Sequence, residues 1–399
     1  MRTRDTLGLL AEAGNTSGFD YLRLFLSISV LAWHSAGIVY GRDQSFFLAG
    51  SPLGYLTFLI LPMFFALSGF LVASSLVRSR TLIEFLGLRI LRLVPALAVE
   101  ICLSALVLGP IMTSFNTQSY FTDYEFVSYF LNIVGLIHFQ LPGVFLSNPI
   151  PSIVNGSLWT VPFELECYIA LAALWVLRLR GSGPAALVAL VLWSGLLGTR
   201  LLMGAYEPIG PDALNGRLLV AYFLAGVCLY QYRYRIPSDV RLFVVAFAVS
   251  LVMIKSKSAI LLSPLFVAYA TAYVGLLRPK KLPLIFSGDY SYGIYLYAFP
   301  IQQTVYALVP QSHGWVPHFL LSLAATAALA AFSWHTIEKP LLRLKRNLRF
   351  ESDVIAAEFS PGSGHKTFRW RLPKVGLGRP NDVSDPDAAA APERPRHRT

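Results

Sequence analysis

The stretch Phe19–Tyr40, FDYLRLFLSISVLAWHSAGIVY, decides the fold class. A helix of about 20 apolar residues crosses the hydrocarbon core of a bilayer, and this stretch is long enough. It also carries Arg23 and His34. Ionisable groups at membrane depth are costly, so they face a protein interior or a watery cavity. At about 100° per residue, eleven positions return to nearly the same helix face, roughly 16 Å further along the axis. The spacing therefore predicts one helix that presents a cation near one surface and a proton-transfer group deeper in, both toward one cavity.

Outward from that stretch, similar windows recur along most of the chain. Of 399 residues, 55% are hydrophobic and only 14% charged, which excludes an ordinary soluble domain. The windows predict an all-α integral membrane protein of about ten transmembrane helices, near 19–40, 52–77, 93–114, 159–179, 183–203, 216–232, 239–255, 258–277, 289–309 and 316–337. The 124–140 stretch is shorter and mixed, and reads as an interfacial or re-entrant segment. Residues 1–18 form a cytoplasmic N-terminal lead and 19–349 the membrane domain. Residues 350–399, rich in Pro, Ala, Asp and Arg and poor in aliphatics, are expected to form a disordered cytoplasmic tail.

The net charge of +11 is a topology signal and excludes nucleic acid as a partner. Basic residues gather in alternate loops, at Arg78, Arg80, Arg178, Arg180, Arg233 and Lys281 among others, whereas 115–157 contains no Lys or Arg. By the positive-inside rule both termini are cytoplasmic, in a multi-pass protein of the inner (plasma) membrane. Cys102, Cys167 and Cys228 fall inside predicted helices without a CxxC pair, so they read as packing thiols. His313, His318 and His335 show no ligand spacing, and no metal is assigned.

Six motifs follow one another in order. Arg23 and His34 are separated by ten residues in the first predicted helix. The second contains Phe65-Ala66-Leu67-Ser68-Gly69-Phe70-Leu71, and the next loop Phe85, Arg89, Arg92 and Pro95 at F-x-x-x-R-x-x-R-x-x-P spacing. Ser157-Leu158-Trp159 precedes Glu164 and Tyr168 as S-L-W-x-x-x-x-E-x-x-x-Y. Tyr290-Ser291-Tyr292-Gly293-Ile294-Tyr295 and Glu338-Lys339-Pro340 complete the series. Together they resemble the membrane acyltransferase-3 family, whose members move acyl groups onto sugars and similar acceptors. One departure stands out: the family often has a His three positions after the residue matching Tyr295, and here that position is Ala298.

The resemblance implies an O-acyltransferase that moves an acyl group, acetyl above all, from cytoplasmic acyl-CoA (acetyl-CoA) to a hydroxyl. The acceptor would be an extracytoplasmic glycan or a lipid-linked sugar of the cell envelope. No cofactor is held permanently; acyl-CoA is a co-substrate, and membrane lipid the other partner. Acyl transfer needs a base for the hydroxyl proton, which suits His34 near neutral pH. Glu164 is expected to orient that imidazole, with Arg23 in support. Arg89 and Arg92, three apart on one helix face, suit phosphates through paired hydrogen bonds. By position alone they equally obey the positive-inside rule and meet anionic lipid; the resemblance makes them donor ligands. Ser68, Tyr168, Tyr292, Tyr295 and Glu338 are expected to line the cavity, Ser68 as a packing residue more than a nucleophile. The competing reading is a proton-coupled transporter or flippase of a polar lipid or sugar, with His34 and Glu164 as a relay.

Overall fold

A computed structural model describes residues 5–14, 17–49, 52–209, 214–282 and 288–344, side chains of 42–49, 52, 53 and 55 excepted. The expected tail from 350 lies outside the described residues. Among the described residues the chain is all-helical, with isolated bridges and no strand. Helices satisfy their own backbone polar groups, which lipid cannot do.

Ten main helices occupy the ten predicted windows. They are α1 (Ser17–Gly41), α2 (Ile60–Arg78), α3 (Leu82–Met112), α4 (Val161–Val176), α5 (Gly183–Leu202), α6 (Gly216–Gln231), α7 (Val240–Met253), α8 (Ser263–Gly275), α9 (Ser291–Leu308) and α10 (Trp315–Ser333). Among the described residues, six stretches are long and apolar enough to cross a membrane: α1, α2, α3, α5, Gly156–Val176 around α4, and Trp315–Leu342 around α10. The regions of α6, α7 and α8 are shorter apolar helices.

Local chemistry sets the ends. Thr81 accepts from the Glu84 amide at the start of α3, Ser182 caps α5, and Asn215 and Asp239 cap α6 and α7. Pro162, Pro184 and Pro264 sit in first turns, where a missing N–H costs nothing. Gly41 ends α1 with a φ of 78°, a conformation open to glycine at little cost.

Successive helices run in alternate directions, so the loops gather at two ends. At the basic end Gly18 donates to Leu277 O, Arg180 to Ser79 O, and Leu7 of the short helix Leu7–Glu12 to Ile236 O. At the opposite end the amide of Trp315 meets the Tyr40 hydroxyl. Helix α6 is the centre: every residue from Leu218 to Tyr230 is buried. It touches α2 backbone to backbone. A Cβ on Gly69 would lie 2.0 Å from Phe223 O, and one on Gly226 2.1 Å from Ala66 O. Small residues permit such approach where lipid supplies no hydrophobic drive between helices.

The segment 113–156 covers the opposite end of α3. It holds two six-residue helices, Thr117–Thr122 and Tyr124–Tyr129, then a 3₁₀ turn, and none can span. Its Tyr120 and Tyr129 are fully buried against Leu97, Ile101 and Ala105 of α3. Gln303 of α9 holds its far half: the side-chain amide donates to Ile150 O (2.8 Å) and Ile153 O (2.7 Å), and Asn148 donates back to Gln303. Asn155 donates to Leu296 O at 2.9 Å. These bonds position the walls described next.

Candidate active site

Two cavities meet between α1, α2, α4 and α9. The larger, about 630 Å³, opens toward the 113–156 end and is lined by His34, Trp33, Phe58, Trp159, Phe163 and Phe299 among others. The smaller, about 170 Å³, lies toward the basic end and is lined by Arg23, Ser68, Arg89, Arg92, Glu164, Tyr168 and Tyr292. Leu61 and Tyr295 belong to both walls.

The sequence placed Arg23 and His34 on one cavity; the structure divides them between two. The helix-face argument holds, since both point inward, but the Tyr295 side chain crosses the space between their levels. Its hydroxyl bonds Thr160 Oγ1 at 2.7 Å and donates to Ser157 O at 3.1 Å, and its ring meets Phe64 edge-on. The polar start of α4 therefore holds the ring across the passage.

The second correction concerns Glu164. Expected beside His34, it lines the smaller cavity instead, where it accepts from the Tyr168 hydroxyl one turn away. Glu164 and Tyr168 share a helix face as their spacing requires, and that face is turned to Arg89. Among the described residues His34 has no carboxylate neighbour: its ring packs edge-on against Phe299, 5.2 Å between centroids, and Nδ1 is buried without a partner. Helix α1 is fixed at this level by other groups. Gln302 donates to Leu31 O (2.8 Å) and Ser35 Oγ (2.7 Å), and Trp315 Nε1 to Ala32 O. Gly156 is needed here, because a Cβ would come within 2.8 Å of the Phe299 ring.

The smaller cavity is organised by a residue the sequence reading missed. Asp289 accepts from Arg92 at 2.5 Å and from Arg23 at 3.2 Å, and Ser291 donates to its other oxygen at 2.8 Å. Side-chain exposures of 25–28% for these three show that the cluster faces open space and is not sealed in the core. The signal was available: Asp289 is the one acid between Lys281 and Glu338 and directly precedes the tyrosine-rich motif. Arg89 is held less firmly, with Nη2 donating to Ser75 Oγ at 3.2 Å and Nε buried without a partner among the described residues.

Of the other expected lining residues, Ser68, Tyr168, Tyr292 and Tyr295 face the smaller cavity. Tyr292 also donates to Leu93 O at 3.0 Å. Glu338 lines neither cavity; it is buried and accepts from Ser333 at 3.3 Å. Ala298, at the departing position, is buried in a cluster with Leu31, Ile294 and Ala330 and also lines neither. Among the described residues, no group of His, Cys, Asp and Glu could hold a metal.

Comparison with known proteins identifies the family. Residues 16–335 match the family described as Acyltransferase domain (type 3), a span that takes in both cavities. The chain belongs to the acyltransferase-3 family. Among curated relatives of this family, the chain is 29% identical over 336 residues to a protein named O-acetyl transferase from Shigella phage Sf6, covering 81% of this chain and 95% of the relative. It is 28% identical over 370 residues to Nodulation protein 10 of Rhizobium leguminosarum bv. viciae, covering 84% and 96%. No solved structure matches the chain significantly. As an acyltransferase-3 protein the chain belongs among enzymes that transfer acyl groups.

Proposed function

We propose that the protein is a multi-pass O-acyltransferase of ten spanning helices, with both termini cytoplasmic in the inner (plasma) membrane. Basic residues gather at one end, and the positive-inside rule orients that end to the cytoplasm. The donor is acyl-CoA, acetyl-CoA above all, and the acceptor a hydroxyl of an extracytoplasmic glycan or lipid-linked sugar. The relative named O-acetyl transferase supports the acetyl group.

One observation carries this reading: an arginine-lined cavity at the basic end adjoins a histidine-containing aromatic cavity at the other, through the wall formed by Tyr295 and Leu61. Guanidinium groups suit the phosphates of coenzyme A. Arg23 and Arg92 already share Asp289, so Arg89 has the most unused donor capacity. The donor's thin arm then reaches past Tyr295 toward His34, roughly 16 Å along α1 from Arg23.

At His34 the imidazole takes the proton of the acceptor hydroxyl as that oxygen bonds to the thioester carbonyl carbon. The C–S bond breaks as the ester forms, and the departing thiolate recovers the proton from the imidazolium. Among the described residues no carboxylate orients His34; edge contact with Phe299 and the hydrogen bond of Gln302 to Ser35 on α1 do so.

The test is the mass of surface glycans from cells with the wild type, with His34→Ala, and without the gene. Loss of the mass of an acetyl group in both deficient strains is expected. Unchanged masses in all three would sink the glycan acceptor.

A further inference from the structure

A third cavity, about 430 Å³, lies within the 113–156 segment between the helix Tyr124–Tyr129 and residues 137–140. Phe139 and Ile153 wall both this cavity and the one that contains His34, so the two are neighbours in one path. Its polar lining comes from Glu125, Ser128, His138 and Gln140, with Tyr124 at the rim, 74% exposed.

We propose that this cavity binds an uncharged, hydroxyl-rich part of the acceptor, a sugar unit beside the one that is acylated. The proposal rests on the acyltransfer reading and adds where, and by which residues, the acceptor is recognised. Three observations argue for it. First, the chemistry is that of polyol recognition. A carboxylate accepts from hydroxyls, while an imidazole and a primary amide both donate and accept. An aromatic face such as Tyr124 covers the C–H side of a sugar ring.

Second, the cavity is built and not a slack loop. Asn132, fully buried, donates to Tyr129 O (2.7 Å) and His138 O (2.8 Å) and accepts from the His138 amide (2.9 Å). Val154 N donates to Phe139 O at 2.8 Å, and Asp123 caps the helix that carries Glu125. Gly135, with a φ of 83°, makes the reversal between the two walls. The volume lies within the range of ligand pockets, about 300–1,000 Å³.

Third, charge selects the ligand. The segment 115–157 has no Lys or Arg but holds Asp123 and Glu125, so a phosphate or uronate would meet repulsion without a counter-charge. A neutral sugar would not.

The experiment uses the full-length protein in lipid nanodiscs, with surface glycan extracted from the gene-deleted strain as acceptor and acetyl-CoA as donor. Glu125→Gln and His138→Ala should each raise the half-saturating glycan concentration about tenfold, the usual effect of losing one hydrogen bond that involves a charged or strongly polar group. The half-saturating acetyl-CoA concentration should not move. Gln140→Ala, at an exposed position, is a second variant that puts folding at little risk. Glycan half-saturation unchanged in all three overturns the proposal, as does an equal shift for both substrates. If the wild type consumes no acetyl-CoA with this glycan, the acyltransfer reading fails on its own. Retention of radiolabelled glycan by immobilised protein then decides the cavity. Retention by the wild type but not by the Glu125→Gln/His138→Ala double variant supports it, and equal or absent retention overturns it.

Discussion

The two cavities flanking Tyr295 solve opposite problems with residues from the same helices. On the basic side three arginines, Glu164 and Asp289 gather around a small space, and nearly every charge has a counter-charge within reach. On the other side a space more than three times larger is walled largely by Trp, Phe and Ile, and among the described residues its lining holds His34 but no carboxylate, Lys or Arg. A cluster of guanidinium groups costs little here because Asp289 neutralises part of it, and the remaining positive potential awaits an anion. A neutral acceptor requires no such charge; it needs a dry wall and one base. Under the proposed function this contrast assigns the anionic donor to the first cavity and the acceptor hydroxyl to the second.

The largest break in the comparison comes from the single base. His34→Gln keeps a polar side chain of similar size but removes the proton acceptor. Transfer should fall ~10²–10⁴-fold, the usual contribution of general base catalysis. Donor half-saturation should stay at the wild-type value, because no arginine is touched. Turnover of acetyl-CoA with glycan by purified protein measures both quantities. A variant that keeps most of its rate would remove His34 from the chemistry and leave it as an aromatic wall residue beside Phe299.

The arginine side should break differently. Arg89→Ala is expected to raise the half-saturating acetyl-CoA concentration about tenfold, with the glycan dependence intact, since a charge-assisted bond is worth about 1.5–3 kcal/mol. Asp289→Asn attacks the same cavity from its counter-charge. Arg23 and Arg92 would then repel each other, and the protein should lose ~2 kcal/mol of stability, less than for a fully buried pair because the groups are partly exposed. A drop in unfolding temperature in detergent for Asp289→Asn, absent for Arg89→Ala, distinguishes scaffold from ligand-binding roles. Identical melting and donor dependence in the two variants would dissolve that distinction.

Much of this was readable in the chain, and the gaps have physical causes. Long apolar windows predicted where helices lie, because lipid leaves the backbone few other choices. Ser68, Tyr168, Tyr292 and Tyr295, expected to line a cavity, lie on the smaller one, whereas Glu338, expected with them, lines neither. Helical spacing, however, gives a face and a height, not what fills the space between two heights. Arg23 and His34 share a face, yet Tyr295 from a helix more than 250 residues later stands between them. Depth alone paired Glu164 with His34; the arginines across the cavity, set by packing of α3 on α4, turned it the other way. Asp289 escaped notice because its pairing with Arg23 and Arg92 joins residues nearly 200 or more positions apart, which only the packed helices bring together.

The smallest expected effect tests the wall itself. Tyr295→Phe keeps the ring between the cavities and removes the bonds to Thr160 Oγ1 and Ser157 O, a loss of ~1 kcal/mol that the backbone at the start of α4 must absorb. The ring should then swing more freely, and water from the larger cavity should reach the thioester before the acceptor does. Acetyl-CoA hydrolysis without glycan is therefore expected to rise a few-fold relative to transfer, and further in Tyr295→Ala, where the ring is gone. Both variants leave Arg89 and His34 untouched, so neither substrate's half-saturation should follow the change. If hydrolysis and transfer keep the wild-type ratio in both variants, Tyr295 does not divide the two spaces in the working enzyme, and the cavities must be treated as one site whose difference in lining is a gradient of polarity along a single channel.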